Sequence, residues 1–247
     1  MKRNGFTLAE VLITLAIIGV LGSVMLSAIR NAQPNREMVM LKKAYYNTTR
    51  IVSELINDED FYPDAADPTH SGFSHTDIRG VNGGREATFH NQEYSGPSKF
   101  CGLFAAKLNL QGEADCSMRR SLAAGGNFRT ADGATWSMPV GDFNSGSADG
   151  SDLIFVDVDG PDRGHNCTID PDATGFATAC RAGIAPDQFS IRVGRFGDIS
   201  LPGEVARLYV ASQNTTKKYS EFLSEIHHNE NTVPSGYGSV STSSSRN

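Results

Sequence analysis

The first thirty residues constrain this chain more than any other part of it. From Val11 to Ile29 there is no charged residue, and Lys2 and Arg3 stand just before the run. About 20 apolar residues are enough to cross a bilayer as a helix. Extending the run back to Phe6 takes in a single carboxylate, Glu10. An ionisable group is costly in lipid, so its presence there predicts a functional role. The run does not end as a discarded secretory signal ends. No A-x-A-like site closes it, and Met25 and Leu26 interrupt the small residues between Ser23 and Ala28. The expected cut lies before the run, between Gly5 and Phe6, and leaves the apolar segment in place.

Gly5-Phe6-Thr7-Leu8-Ala9-Glu10-Val11-Leu12-Ile13, behind a basic leader, resembles the processing site of type IV pilins and type II secretion pseudopilins. The resemblance implies that a prepilin peptidase cuts after Gly5 and that Phe6 becomes the N-methylated terminus. It implies that Glu10 of an incoming subunit pairs with the Phe6 amine of a neighbour. Its implied partners are other pilin or pseudopilin subunits, the inner-membrane assembly machinery and the lipid bilayer. Lys2 and Arg3 favour a cytoplasmic N-terminus, whereas Arg30 and Arg36 beyond the run weaken that inference. The resemblance decides it: a single-pass protein of the bacterial inner membrane, domain outside, periplasmic or extracellular once assembled. An uncleaved membrane anchor is the plainer alternative.

The remaining length suits one domain. Net charge is −6, which gives nucleic-acid binding no electrostatic support. The expected organisation is a leader at 1–5, a transmembrane assembly helix at 6–30 and its amphipathic continuation at 31–58. A globular domain follows at 59–234, and a Ser/Gly-rich disordered tail at 235–247. Met38, Leu41, Tyr45, Thr48, Val52 and Leu55 recur at helical spacing, so one long helix is expected from Phe6 to Ile56. Pro34 predicts a kink in it. Gly19 and Gly22 either loosen its apolar half or allow close packing.

Residues 57–97 read as a long irregular connection, and Ser98 to Leu110 as a short helix. Strands are expected at Ala134–Val140 and Leu153–Val158, and a hairpin at Phe189–Val193 and Phe196–Leu201 around Gly194-Arg195. Val205–Ala211 reads as a further strand and Thr216–His227 as a terminal helix. The fold class is therefore α+β, a long N-terminal helix before an antiparallel sheet. The pilin resemblance implies the same arrangement, with the second half of the helix packed on the sheet.

Four cysteines, Cys101, Cys116, Cys167 and Cys180, suggest disulfides outside the cytoplasm. Three pairings exist, and the sequence-local one joins Cys101 to Cys116 and Cys167 to Cys180. Their spacing does not suit zinc, and free buried thiols are the alternative.

Asp157, Asp159 and Asp162 leave the strongest strand, and Asp187 follows. Such a loop can hold calcium. It fails the EF-hand pattern, because Asp162 stands where the glycine belongs and Thr168 where the glutamate belongs. Major pseudopilins carry calcium in a C-terminal acidic loop, without a residue-by-residue match here. The plainer expectation is a turn held by side-chain-to-backbone hydrogen bonds, with no cofactor. The segments Ile154 to Pro161, Pro186 to Phe189 and Gly197 to Pro202 also resemble a pattern of pilin-like proteins, with Asp159 in place of the usual Asn.

No catalytic motif appears: no G-x-S-x-G, H-E-x-x-H, P-loop or G-x-G-x-x-G. The expectation is a non-enzymatic, minor subunit of a type IV pilus-like filament. A type II secretion pseudopilin is the alternative, and a non-polymerising anchored binding protein a different class.

Overall fold

The computed structural model describes residues 7–31, 34–62, 73, 86–141, 151–170 and 175–232. The leader, Phe6 and the tail at 235–247 lie outside the described residues.

Where one long helix was expected, there are two. Helix α1 runs Leu8–Asn31 and helix α2 runs Arg36–Ile56. Proline cannot donate to the preceding turn, and the residue after it supplies a fresh start. Asn35 is extended, and its side-chain oxygen accepts the Met38 N–H at 3.0 Å, capping α2. Helix α2 then buries Met38, Leu41, Ala44, Thr48, Ile51, Val52, Leu55 and Ile56, close to the stripe legible in the sequence. Tyr45 of that stripe is only half-buried.

The sheet has five antiparallel strands in sequence order: β3 (Phe128–Arg129), β4 (Thr135–Ser137), β5 (Ser151–Asp157), β6 (Gln188–Gly194) and β7 (Ile199–Ser200). Ile154 faces Ile191 and Val156 faces Phe189 across β5 and β6. These residues share one core with α2 and with Trp136 of β4. The opposite face of β5 carries a smaller cluster. There Phe155 meets Leu122 and Phe176, and the Arg119 guanidinium lies 4.5 Å from the Phe176 ring.

Three further elements depart from expectation. Residues 57–97, read as irregular, contain a hairpin of β1 (Ala87–Phe89) and β2 (Gln92–Tyr94). Its turn residues, His90 and Asn91, both take positive φ, as a type I′ turn requires. Val205–Ala211 is not a strand but lies within helix α4 (Glu204–Ala211). Its buried residues are Val205, Ala206 and Tyr209, a helical spacing, and Glu204 favours the helix N-terminus. The hairpin's second arm is shorter than expected, since only Ile199 and Ser200 pair. Helices α3 (Lys99–Ala106) and α5 (Tyr219–Thr232) stand near their expected places.

Both local disulfides are present, Cys101–Cys116 and Cys167–Cys180, and no described cysteine is free. Each one secures a loop against the sheet. The loop before Cys116 runs along β3: Gln111 N–H donates to Arg129 C=O and Asp115 N–H to Asn127 C=O, both at 2.8 Å. At the start of β6, Cys167 C=O accepts the N–H groups of Asp187 and Gln188. Unpaired strand edges are templates for unwanted pairing, and these loops cover such edges.

Candidate functional site

Beyond Glu10 helix α1 is apolar on every side as far as its side chains are described, and those side chains are exposed. Leu8, Leu12, Ile13, Leu15, Ile18, Val20 and Leu21 are all exposed, Leu8 at 80%. A helix that is apolar all round needs lipid or protein around it, and an exposed patch of this extent marks an interaction surface. Gly19 and Gly22 have nothing within 4 Å of where a side chain would begin. No contact among the described residues requires glycine there, whereas a close neighbour would. Among the described residues, no helix is long and apolar enough to cross a membrane. The side chains of α1 are described continuously only as far as Ser23, short of the end of the apolar run in the sequence.

The first turn of α1 explains what Glu10 does within its own chain. Glu10 Oε2 accepts the Thr7 N–H at 2.8 Å and the Thr7 hydroxyl at 2.9 Å. In return the Glu10 N–H donates to Thr7 Oγ1 at 3.3 Å. This is a reciprocal capping box, which satisfies helix-end donors that have no partner in the preceding turn. Its sequence signal is Thr-x-x-Glu at 7–10, which contains the same glutamate that the pilin resemblance assigns to pairing. Gly5 and Phe6 lie outside the described residues, so the structure does not address that pairing.

Three of the four aspartates of the acidic segment take separate partners. Asp157 accepts the Gly160 N–H at 2.8 Å and the Gln188 side-chain amide at 3.1 Å. Asp162 pairs with Arg129 at 3.0 Å. Asp187 accepts three backbone N–H groups, from His165, Asn166 and Cys167. Buried Asp159 keeps one oxygen, Oδ1, without a donor among the described residues. Gly164, at φ +66°, packs its backbone against the Asp159 and Asp187 carboxylates, where any side chain would collide. Among the described residues, no group of three or more His, Cys, Asp or Glu is placed to hold a metal ion. The hydrogen bonds of Asp157 and Asp187 to backbone N–H groups are of the kind that holds a turn.

That turn makes stability depend on pH. Burial pushes Asp157 up to about 6, and repulsion from Asp187 and Asp159 adds to this, against the bonds from Gln188 and Gly160. The folded chain therefore holds a proton that the unfolded chain has lost between about pH 4 and pH 6. Stability should fall as pH rises through that window, by about 2 kcal/mol after allowance for solvent screening. Asp157→Asn should flatten the dependence, because its oxygen can still accept from Gly160 and the unpartnered Gln188 oxygen can turn to meet its amide. Denaturant titrations of wild type and Asp157→Asn at pH 4 and pH 7 check this by difference, because carboxylates held down elsewhere, such as Asp132 beside Lys43, act in the opposite sense. The same pH dependence in both chains would refute it, and a rise in stability with added calcium would reassign the turn to metal binding.

No curated protein and no solved structure matches this chain. A family model does match its start, at residues 1–26: the prokaryotic N-terminal methylation motif. The motif implies a membrane-anchored precursor, processing by prepilin peptidase and assembly with other pilin-type subunits. The match takes in the leader, Gly5, Phe6, the Thr7–Glu10 capping box and most of the exposed apolar face of α1. On that N-terminal region the chain carries the signature of type IV pilins and pseudopilins.

Proposed function

We propose that this chain is a minor structural subunit of a type IV pilus-like filament. The supporting observation is that the methylation motif coincides with a helix whose described apolar side chains find no cover among the described residues. In this role the apolar run anchors the precursor in the inner membrane after Gly5 is cut. Assembly then transfers α1 from lipid to the filament core, where neighbouring helices supply the missing cover. The domain carried by α2 faces outward. A polymer subunit needs recurrent packing surfaces rather than a reaction centre, and no cofactor takes part.

Cleavage should depend on Gly5, because a protease cleft that closes on the scissile bond leaves little room for a side chain. Gly5→Leu is expected to keep the leader attached, raising the intact mass of the membrane-bound chain by that of residues 1–5. A Gly5→Leu chain that begins at Phe6 in normal yield would overturn the processing site. Shearing cells then separates the fates of the processed chain. Recovery in surface filaments supports the pilus role, a short periplasmic polymer indicates a secretion pseudopilus, and a monomer confined to the membrane indicates a simple anchor.

A further inference from the structure

We propose that the groove between the β1–β2 hairpin and the loop at 110–116 binds an extended peptide segment carrying a lysine or arginine, adding it as a strand to the free edge of β2. No residue of α1 lines this groove, so its occupancy can be judged whether or not the chain polymerises.

The hairpin is a sheet of two strands, so β2 is paired on one side only. Phe89 faces Gln92 across the two-residue turn, and Thr88 faces Glu93 one step further on. A β-turn is closed by the bond between its first and fourth residues, here Phe89 and Gln92. In antiparallel strands such bonded pairs alternate with pairs that exchange no bonds. The Glu93 N–H and C=O therefore point away from β1. Neither finds a backbone partner among the described residues. On that side lies a groove of 630 Å³, which Glu93 lines. Its size falls within the roughly 300–1,000 Å³ of ligand clefts.

Small residues keep the groove open. Gly102 and Ala106, one turn apart on α3, line it together with Ala114 of the loop. A side chain at Gly102 would begin 2.6 Å from the Tyr94 ring, so glycine lets that ring lie down on α3. The Tyr94 hydroxyl donates to Gln92 Oε1 at 3.1 Å, which holds the ring along its own strand. The far wall is fixed as well. Cys116 is bonded to Cys101 of α3, and the Gln111 and Asp115 N–H groups donate to β3. A strand edge and an anchored loop thus bound one cleft, the setting in which an extended peptide adds to a sheet. Charge specifies the peptide. Glu93 and Glu113 line the groove and are exposed, and no lysine or arginine lines it. Neither carboxylate has an ion-pair partner among the described residues. A basic side chain supplies the missing counter-charge, while main-chain bonds to β2 supply affinity.

The probe is a set of fluorescein-labelled hexapeptides with a central lysine and valine or threonine elsewhere. Each is titrated by fluorescence anisotropy onto the full chain in nanodiscs of zwitterionic lipid. At least one member should bind, and Ala106→Phe, which fills the floor of the groove, should weaken the tightest by about tenfold or more. Glu93→Gln with Glu113→Gln should weaken it about tenfold. Both positions are exposed, so this variant keeps the test open even if Ala106→Phe does not fold. Alternate residues of a strand face one neighbour. Methylating the peptide's backbone nitrogens at one parity should therefore cost about tenfold, and at the other parity much less. A set in which no member prefers wild type over Ala106→Phe by more than about threefold would overturn the site. Binding that survives methylation at both parities would overturn strand addition. Binding indifferent to the two glutamines would overturn the basic ligand. Maltotriose binding that Ala106→Phe abolishes, with no peptide bound, would make the groove a sugar site and overturn the proposal.

Discussion

Glu10→Gln is expected to leave the first turn of α1 formed and the leader cleaved, yet to reduce filament yield at least tenfold. The capping bond of Glu10 and the pairing role that the pilin resemblance implies for it make different demands. The capping box needs an acceptor, and glutamine supplies one to the Thr7 N–H as glutamate does. Pairing with a neighbour's Phe6 amine needs a negative charge, which glutamine lacks. In a low-dielectric filament core an ammonium without its counter-charge is strongly disfavoured. Glu10→Val removes both roles, and it should insert in the membrane at least as readily, since the charge is gone. Thr7→Val removes the reciprocal hydroxyl bonds and keeps the charge. The expected order of filament yield is wild type, then Thr7→Val close behind, then Glu10→Gln and Glu10→Val together near background. If capping is the whole role of Glu10, the order changes: Glu10→Gln assembles like wild type, and Thr7→Val falls with Glu10→Val. Quantifying sheared filament against membrane fractions, in cells lacking the wild-type copy, decides between the two.

What the sequence made legible follows physical range. The membrane-type run and the α2 stripe depend on residues a few positions apart, the first visible as an unbroken apolar stretch and the second as periodicity. The two disulfides were also local, with partners close enough in sequence to be the simplest pairing. The strong strand at β5 was legible because its core-facing residues, Ile154 and Val156, alternate with others. The failures came where the deciding contact was distant or the signal was double-valued. Val205 to Ala211 is apolar enough to pass for a strand, and only its packing on α2 and the sheet selects the helix. The β1–β2 hairpin turns on His90-Asn91, without the glycine that usually marks such a turn. Pro34 announced an interruption, but the clean break depends on Asn35 reaching carbonyls some 180 positions away. At the candidate site the Thr7–Glu10 box was legible in principle, since a threonine three residues before a glutamate marks a helix start. The acidic turn was ambiguous, because the same aspartates can serve a cation or their own backbone. The hydrogen bonds of Asp157, Asp162 and Asp187 join groups that come together only once the chain is folded.

Removing one disulfide should have the largest effect on the domain itself. Cys101→Ala with Cys116→Ala opens a loop of 15 positions, for which the loss of chain constraint is worth about 3 kcal/mol. That is a large share of the roughly 5–15 kcal/mol that holds a domain folded. The denaturant midpoint should therefore fall by about 1–2 M urea. The packing argument adds a second consequence. Cys101 is fully buried in α3, and its bond to Cys116 ties the covering loop to the helix beneath it. Without that tie the loop is left with its own hydrogen bonds to Asn127 and Arg129, and with the Asn127 side-chain amide that donates to Asp115 and Met118 C=O. Local opening would then bare the outer edge of β3, whose backbone groups are free to pair with another chain. The double variant should thus aggregate below its own unfolding midpoint, as followed by light scattering alongside the unfolding signal. A variant that stays monodisperse and loses less than about 1 kcal/mol would show that the loop's backbone bonds suffice to hold it. The edge would then be protected by hydrogen bonding rather than by the covalent link.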